Sequence, residues 1–379
     1  MKIEQNVWTQ KTGWSPSAPG TLEKSAQLVL AFGSTDLLKK SPLLKELAGV
    51  YPNARFVGCS TGGEIYGTTV YDDSLTIVAV HFEKTTIRTY EVEVNSAEDS
   101  FLAGERLAAL VSPANLSQLF VLSKGINING SELVKGLGKN LPENVIITGG
   151  LAGDGPKFQE TLTFSDGVPK NNVISAIAFY GHKLKIGYGS FGGWDPFGPE
   201  RIITRSKSNV LYELDGKNAL ELYKQYLGEH AKGLPATGLL FPLGIRGQET
   251  TTSLVRTILA TSEKDQSLTF AGDVPEGFHA RLMKVNYERM IDAAGKAAKN
   301  CQDTIGSTKV DLAILVSCVG RKWVLKQRVE EELEAVREIF GNETILTGFY
   351  SYGEIAPLAG TKKCALHNET MTITAFSEA

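Results

Sequence analysis

Four cysteines in 379 residues, at positions 59, 301, 318 and 364, are too scattered for a disulfide framework and suit reduced thiols. No C-x-x-C or H-x₃-H spacing occurs, so a structural zinc site has no local signature. No apolar run approaches the roughly 18 residues of a membrane span, which argues against membrane insertion. The first twenty residues are polar, carry Pro16 and Pro19, and lack the apolar core of a signal peptide. They read as a flexible arm over 1–20, and the protein as cytoplasmic. A net charge of −3 supplies no basic face for nucleic acid. Gly150 to Gly155 departs from the G-x-G-x-x-G fingerprint, and Gly125 to Gly130 lacks a P-loop lysine, so nucleotide binding has no support.

What is present is a recurring loop. Gly58-Cys59-Ser60-Thr61-Gly62-Gly63-Glu64-Ile65 follows the apolar run Ala54 to Val57. Gly348-Phe349-Tyr350-Ser351-Tyr352-Gly353-Glu354-Ile355 closely resembles it, and Gly149-Gly150-Leu151-Ala152-Gly153-Asp154-Gly155 is a third version after Val145-Ile146-Ile147. Glycines at a strand exit permit positive φ or close backbone approach. Each copy adds one carboxylate: Glu64, Asp154 or Glu354. Together these exits read as parts of one recognition surface.

The order strand, helix, strand, Gly-acidic loop, strand occurs at 27–80, 119–179 and 312–376. Strands joined through helices imply parallel neighbours, and ligands in such sheets bind beyond the strand carboxyl ends. Between 195 and 285 the pattern lapses. Leu325, Val329, Leu333, Val336 and Phe340 form one stripe of a long helix opening at Ser317 to Arg321. The expected fold is α/β, with strand-helix-strand units in mostly parallel or mixed sheets. Two linked domains are expected, at 21–220 and 221–379.

Five segments together resemble the FIST sensory proteins: Gly58 to Ile65, Gly149 to Gly155, Ser317-Cys318-Val319-Gly320-Arg321, Gly348 to Pro357, and His367-Asn368-Glu369-Thr370. The resemblance implies FIST N-terminal and C-terminal domains across almost the whole chain. It implies an intracellular small-ligand sensor rather than an enzyme, with amino acids among the proposed ligands. Stand-alone members of this length are also similar to nitric oxide sensing FIST proteins, which bind haem and regulate a histidine kinase or cyclic-di-GMP enzymes. With no appended kinase or cyclase, the output is expected to pass through a separate partner of that kind. Without C-x-x-C-H, any haem b would be non-covalent; the five histidines (81, 182, 230, 279 and 367) leave its axial ligand open, with a structural hydrogen bond the favoured role for His367.

The candidate ligand-binding residues are Cys59, Ser60, Thr61, Glu64, Gly150, Asp154, Cys318, Arg321, Tyr352 and Glu354. Arg321 has two readings: its fork holds a ligand carboxylate, or it pairs with one of the loop carboxylates and ties the loops together. Cys59 and Cys318 either line the pocket or are small buried residues. The alternative from another class is a hydrolase or transferase using Cys59 or Cys318 as nucleophile, which needs a histidine in reach. Gly58 to Gly62 formally matches G-x-S-x-G, but Gly62-Gly63 and Thr68-Thr69-Val70 argue against the helix that a nucleophile elbow requires.

Overall fold

The computed structural model describes residues 1–248 and 253–378. Its body is one four-strand plan used three times. In the first unit the central strand Leu28–Gly33 runs parallel to the motif strand Arg55–Ser60 and antiparallel to the return strand Ser74–His81, which in turn pairs with the outer strand Lys2–Thr9. The second unit repeats this with Leu116–Ser123, Ile146–Leu151, Val173–Tyr180 and Thr86–Glu93. The third uses Leu312–Cys318, Ile345–Ser351, Met371–Glu378 and Leu184–Phe191. The resulting sheets are mixed, and each has one parallel pair at its centre.

Both faces of the central strands are covered, which explains their near-continuous apolar runs. Leu28, Leu30 and Phe32 point to a shared core with Phe120, Leu122, Ile314, Val316 and Phe349 from the other units. The alternate residues Val29 and Ala31 pack instead under the helices Thr35–Lys40 and Leu43–Val50. Leu119 and Val121, and Ala313 and Leu315, do the same in their own units.

The units also exchange strands in a cycle. Glu64–Tyr66, from the first unit, pairs with Ile345–Ser351 of the third. Gly353–Pro357, from the third, pairs with Ile146–Leu151 of the second. Thr163–Phe164, from the second, pairs with Arg55–Ser60 of the first. Backbone bonds close the cycle at the strand exits: Gly62 N–H donates to Tyr350 O at 2.7 Å, Tyr352 N–H to Leu151 O at 3.1 Å, and Gly153 N–H to Ser60 O at 2.9 Å.

Residues 195–285 form a separate module. Strands including Asp195–Lys207, Val210–Leu214, Leu243–Arg246 and His279–Lys284 enclose a core with the helix Ala219–Leu227. Trp194, Met290, Val324 and Leu325 join it to the body.

Several expectations change. The supposed arm at 1–20 contains a full-length strand, Lys2–Thr9, whose Glu4 carboxylate accepts N–H bonds from Gly20, Thr21 and Leu22. The expected domains at 21–220 and 221–379 share a sheet, in which Leu184–Phe191 pairs with Met371–Glu378. The long helix after Ser317 is broken at Lys326, where φ is +53, into Val319–Leu325 and Val329–Phe340. No helix among the described residues is long and apolar enough to cross a membrane.

Candidate functional site

The three motif strands carry matching glycines near their carboxyl ends. Opposite Ala31, Val121 and Leu315 stand Gly58, Gly149 and Gly348. A Cβ there would lie 1.9, 1.8 and 1.8 Å from the carbonyl oxygen of those same partners. Only glycine lets the strands close this tightly, and the closure brings the three exits together.

Beyond the glycines, two copies build the same lock. Thr61 Oγ1 donates to Glu64 Oε1, while Ser74 N–H and Oγ donate to Oε2 at 3.2 and 2.7 Å. Ser351 Oγ donates to Glu354 Oε1 at 2.7 Å, while Thr370 N–H and Oγ1 donate to Oε2 at 3.2 and 2.9 Å. Burial pushes Glu64 up to about 7 and Glu354 up to about 8, against the lowering effect of those hydrogen bonds. The second copy differs. Asp154 accepts the consecutive N–H groups of Phe158, Gln159 and Glu160 at 2.8–3.0 Å and the hydroxyl of Tyr352. Phe158, 49% exposed, stacks on Tyr352 at 4.5 Å.

The expected ligand residues are therefore adjacent but already engaged. Ser60 Oγ accepts from Leu162 N–H at 2.8 Å. Gly150 packs its backbone near Val316 and Phe349 in the shared core. Cys59 lies in that core, and Cys318 is buried beside Glu369 and Glu354; burial raises both thiols well above their ordinary value. Neither environment favours a thiolate.

Arg321 is the clearest correction. It is fully buried, and its guanidinium pairs with Glu332 at 2.8 Å rather than with Glu64, Asp154 or Glu354. Its remaining N–H groups donate to Gly192 O at 2.6 Å and Met290 O at 2.8 Å. Glu332 also accepts from Ser317 Oγ and Tyr350 Oη. The pairing ties Arg321 down, but with a partner outside the three loop carboxylates that the sequence offered.

The five histidines occupy different settings in the fold. His367 is buried, its Nε2 lies 3.1 Å from Ala356 O, and burial lowers its pKa to about 4. His81 Nδ1 faces Ser25 O, His279 lies beside Glu200, and His230 and His182 are exposed. A surface groove of about 590 Å³, walled by Val134, Leu141, Pro142 and Ile147 and rimmed by Lys362 and Lys363, contains no histidine.

Asn368 and Glu369 belong to a motif of the sequence but not to its candidate ligand residues. They precede Thr370 as Asp72 and Asp73 precede Ser74, and Glu369 and Asp73 share left-handed φ values of +59 and +52. Asp72 and Asp73 are exposed, whereas Asn368 and Glu369 are buried beneath the module. Thr257 Oγ1 donates to Glu369 Oε1 at 2.9 Å, Arg256 to Leu366 O at 3.1 Å, and Trp194 Nε1 to Glu369 O at 2.9 Å. Burial raises Glu369 to about 7. Glu369 Oε2 and both ends of the Asn368 amide have no protein partner; a buried unmade hydrogen bond costs about 1–3 kcal/mol.

Comparison with known proteins gives a family. Residues 27–217 match the FIST N domain and residues 219–357 the FIST C domain. An uncharacterised protein of Methanocaldococcus jannaschii is 26% identical over 335 residues, covering 79% of this chain and 62% of that protein's length. A cyanuric acid hydrolase structure aligns over 100% of this chain and 99% of its own, with 9% identity and a TM-score of 0.34. The A. caulinodans enzyme of that name aligns over 78% and 99%, with 9% identity and a TM-score of 0.19. Scores this low carry no functional argument.

Proposed function

The chain belongs to the FIST family, whose domains imply small-ligand sensing in signalling, and we propose that it acts as a non-enzymatic sensor whose ligand binds where the module meets the body. One observation carries this reading: the turn at Asn368–Glu369 is covered by the module while retaining unpartnered polar groups. A ligand that satisfies those groups favours the closed junction. Differential affinity between closed and open forms worth about 1–3 kcal/mol is enough to control an output. The output then passes to a separate protein of the histidine kinase or cyclic-di-GMP class.

Of the two ligand classes, a small polar molecule of amino-acid size accords better with these groups than haem with nitric oxide. Buried Cys59 and Cys318, with raised thiols, speak for a binding role over nucleophilic catalysis. Thermal melts of the full chain against small polar metabolites test the reading. At least one compound is expected to raise the midpoint saturably; a flat response across the set contradicts it. An absorbance spectrum after haem addition tests the other class, and a Soret band abolished by one histidine substitution would restore it.

A further inference from the structure

Buried polar side chains are normally hydrogen-bonded, and each exception calls for an explanation. Elsewhere among the described residues such a side chain leaves a single atom unpartnered, as Gln118 Oε1 and Thr347 Oγ1 do. Asn368 and Glu369 are consecutive, 1% and 0% exposed, and together leave three. The first unit's Asp72–Asp73 turn is exposed, so this backbone shape does not itself require burial. The cover comes from Thr257, Arg256 and Trp194.

The three atoms specify a complement. Asn368 Nδ2 needs an acceptor, Asn368 Oδ1 needs a donor, and Glu369 Oε2 accepts a second donor. A carbonyl oxygen beside N–H groups supplies this pattern. The nearby cations are committed elsewhere: Arg321 to Glu332, and Arg256 to the carbonyls of Asp273, Val255 and Leu366. A ligand carboxylate would lie beside the carboxyl groups of Glu354 and Glu369, whose like charge disfavours it.

We propose that Asn368 and Glu369, closed over by Thr257, bind a small uncharged molecule through an amide or ureide group. The carbonyl oxygen accepts from Asn368 Nδ2, and the N–H groups donate to Asn368 Oδ1 and Glu369 Oε2. Entry requires the segment around Thr257 to lift, so the proposal rests on the sensor reading above and names its ligand.

The test uses the full chain with acetamide and N-methylurea as probes, and acetate and methylammonium as controls, each followed by ligand-observed NMR titration. Saturable binding of at least one probe is expected, with at least tenfold weaker binding in Asn368→Leu and in Glu369→Gln. The controls are expected not to bind. Acetamide alone would assign the amide, and stronger N-methylurea binding the ureide. Asn368→Leu removes two unpartnered polar groups at similar volume, so its unliganded melting point should equal or exceed that of the parent. If that variant does not fold, Glu369→Gln carries the same comparison. Equal probe binding in the folded variants, binding by a control, or no saturable binding overturns the proposal. So does a crystal grown with whichever probe binds that shows only water at Asn368. A metabolite that stabilises parent and variants equally would overturn this site and leave the sensor reading standing; absence of any stabilising metabolite removes both.

Discussion

Glu64 and Glu354 occupy the same place in two copies of one motif, each carboxylate tying a strand exit to the start of the return strand of its own unit. Each is buried, and each holds its proton near neutral pH. Burial favours the neutral form of each and outweighs the donated hydrogen bonds, which favour the carboxylate.

The pH dependence follows with a definite sign. A carboxyl raised in the folded state binds more protons there than in the unfolded chain between its two pKa values. Stability from Glu64 and Glu354 is thus fully present below about 4.5 and is lost as pH rises through about 7 and 8. Glutamine imitates the protonated form. Melting points of the parent and of Glu64→Gln/Glu354→Gln, compared from pH 5 to 9, should show the variant gaining on the parent as pH rises. A constant difference would mean that neither group titrates in that window.

Arg321 and Glu332 make a second prediction. Removing one partner of a buried ion pair costs about 3–5 kcal/mol, so Arg321→Ala should unfold at markedly lower denaturant. Arg321→Met/Glu332→Met should recover part of that loss. Arg321→Ala chains that remain folded should still bind ligand, because Arg321 spends its donors on Glu332, Gly192 and Met290.

Glycine position matters at the strand exits. Gly348→Ala places a methyl 1.8 Å from Leu315 O at a φ of +152, and should cost more than ~4 kcal/mol or prevent folding. Gly138→Ala, in the helix Gly130–Asn140 with nothing within 4 Å, should instead stabilise by ~0.5–1 kcal/mol. Chemical denaturation of both variants checks the contrast.

Asp154→Ala should release the loop holding Phe158, since one carboxylate collects three consecutive N–H groups and the Tyr352 hydroxyl. Faster limited proteolysis within 155–160 is the expected result, with the rest of the chain equally resistant.

Much of this architecture was legible from local pattern. Apolar runs at Leu28, Leu119 and Leu312, with glycines at 58, 149 and 348, marked three equivalent strand exits, because strand period and backbone clearance are properties of short segments. The strand exchange was not legible, since Glu64 pairs with Phe349 across 285 residues of chain. Arg321–Glu332 was hidden because the partners face each other only after the helix breaks at Lys326. Lys2–Thr9 read as an arm because its mixed polarity gives no apolar run, although the strand is paired on both sides. Asn368 and Glu369 were visible in the motif, but their burial depends on Thr257 and Arg256, more than a hundred residues away.

Hydrogen-exchange mass spectrometry of the full chain, with and without a stabilising metabolite, tests the sensing account most directly. The account predicts slowed exchange in peptides covering 253–257 and 366–370, where module and body close together. Protection confined to other regions, or exchange unchanged at saturating ligand, would contradict it.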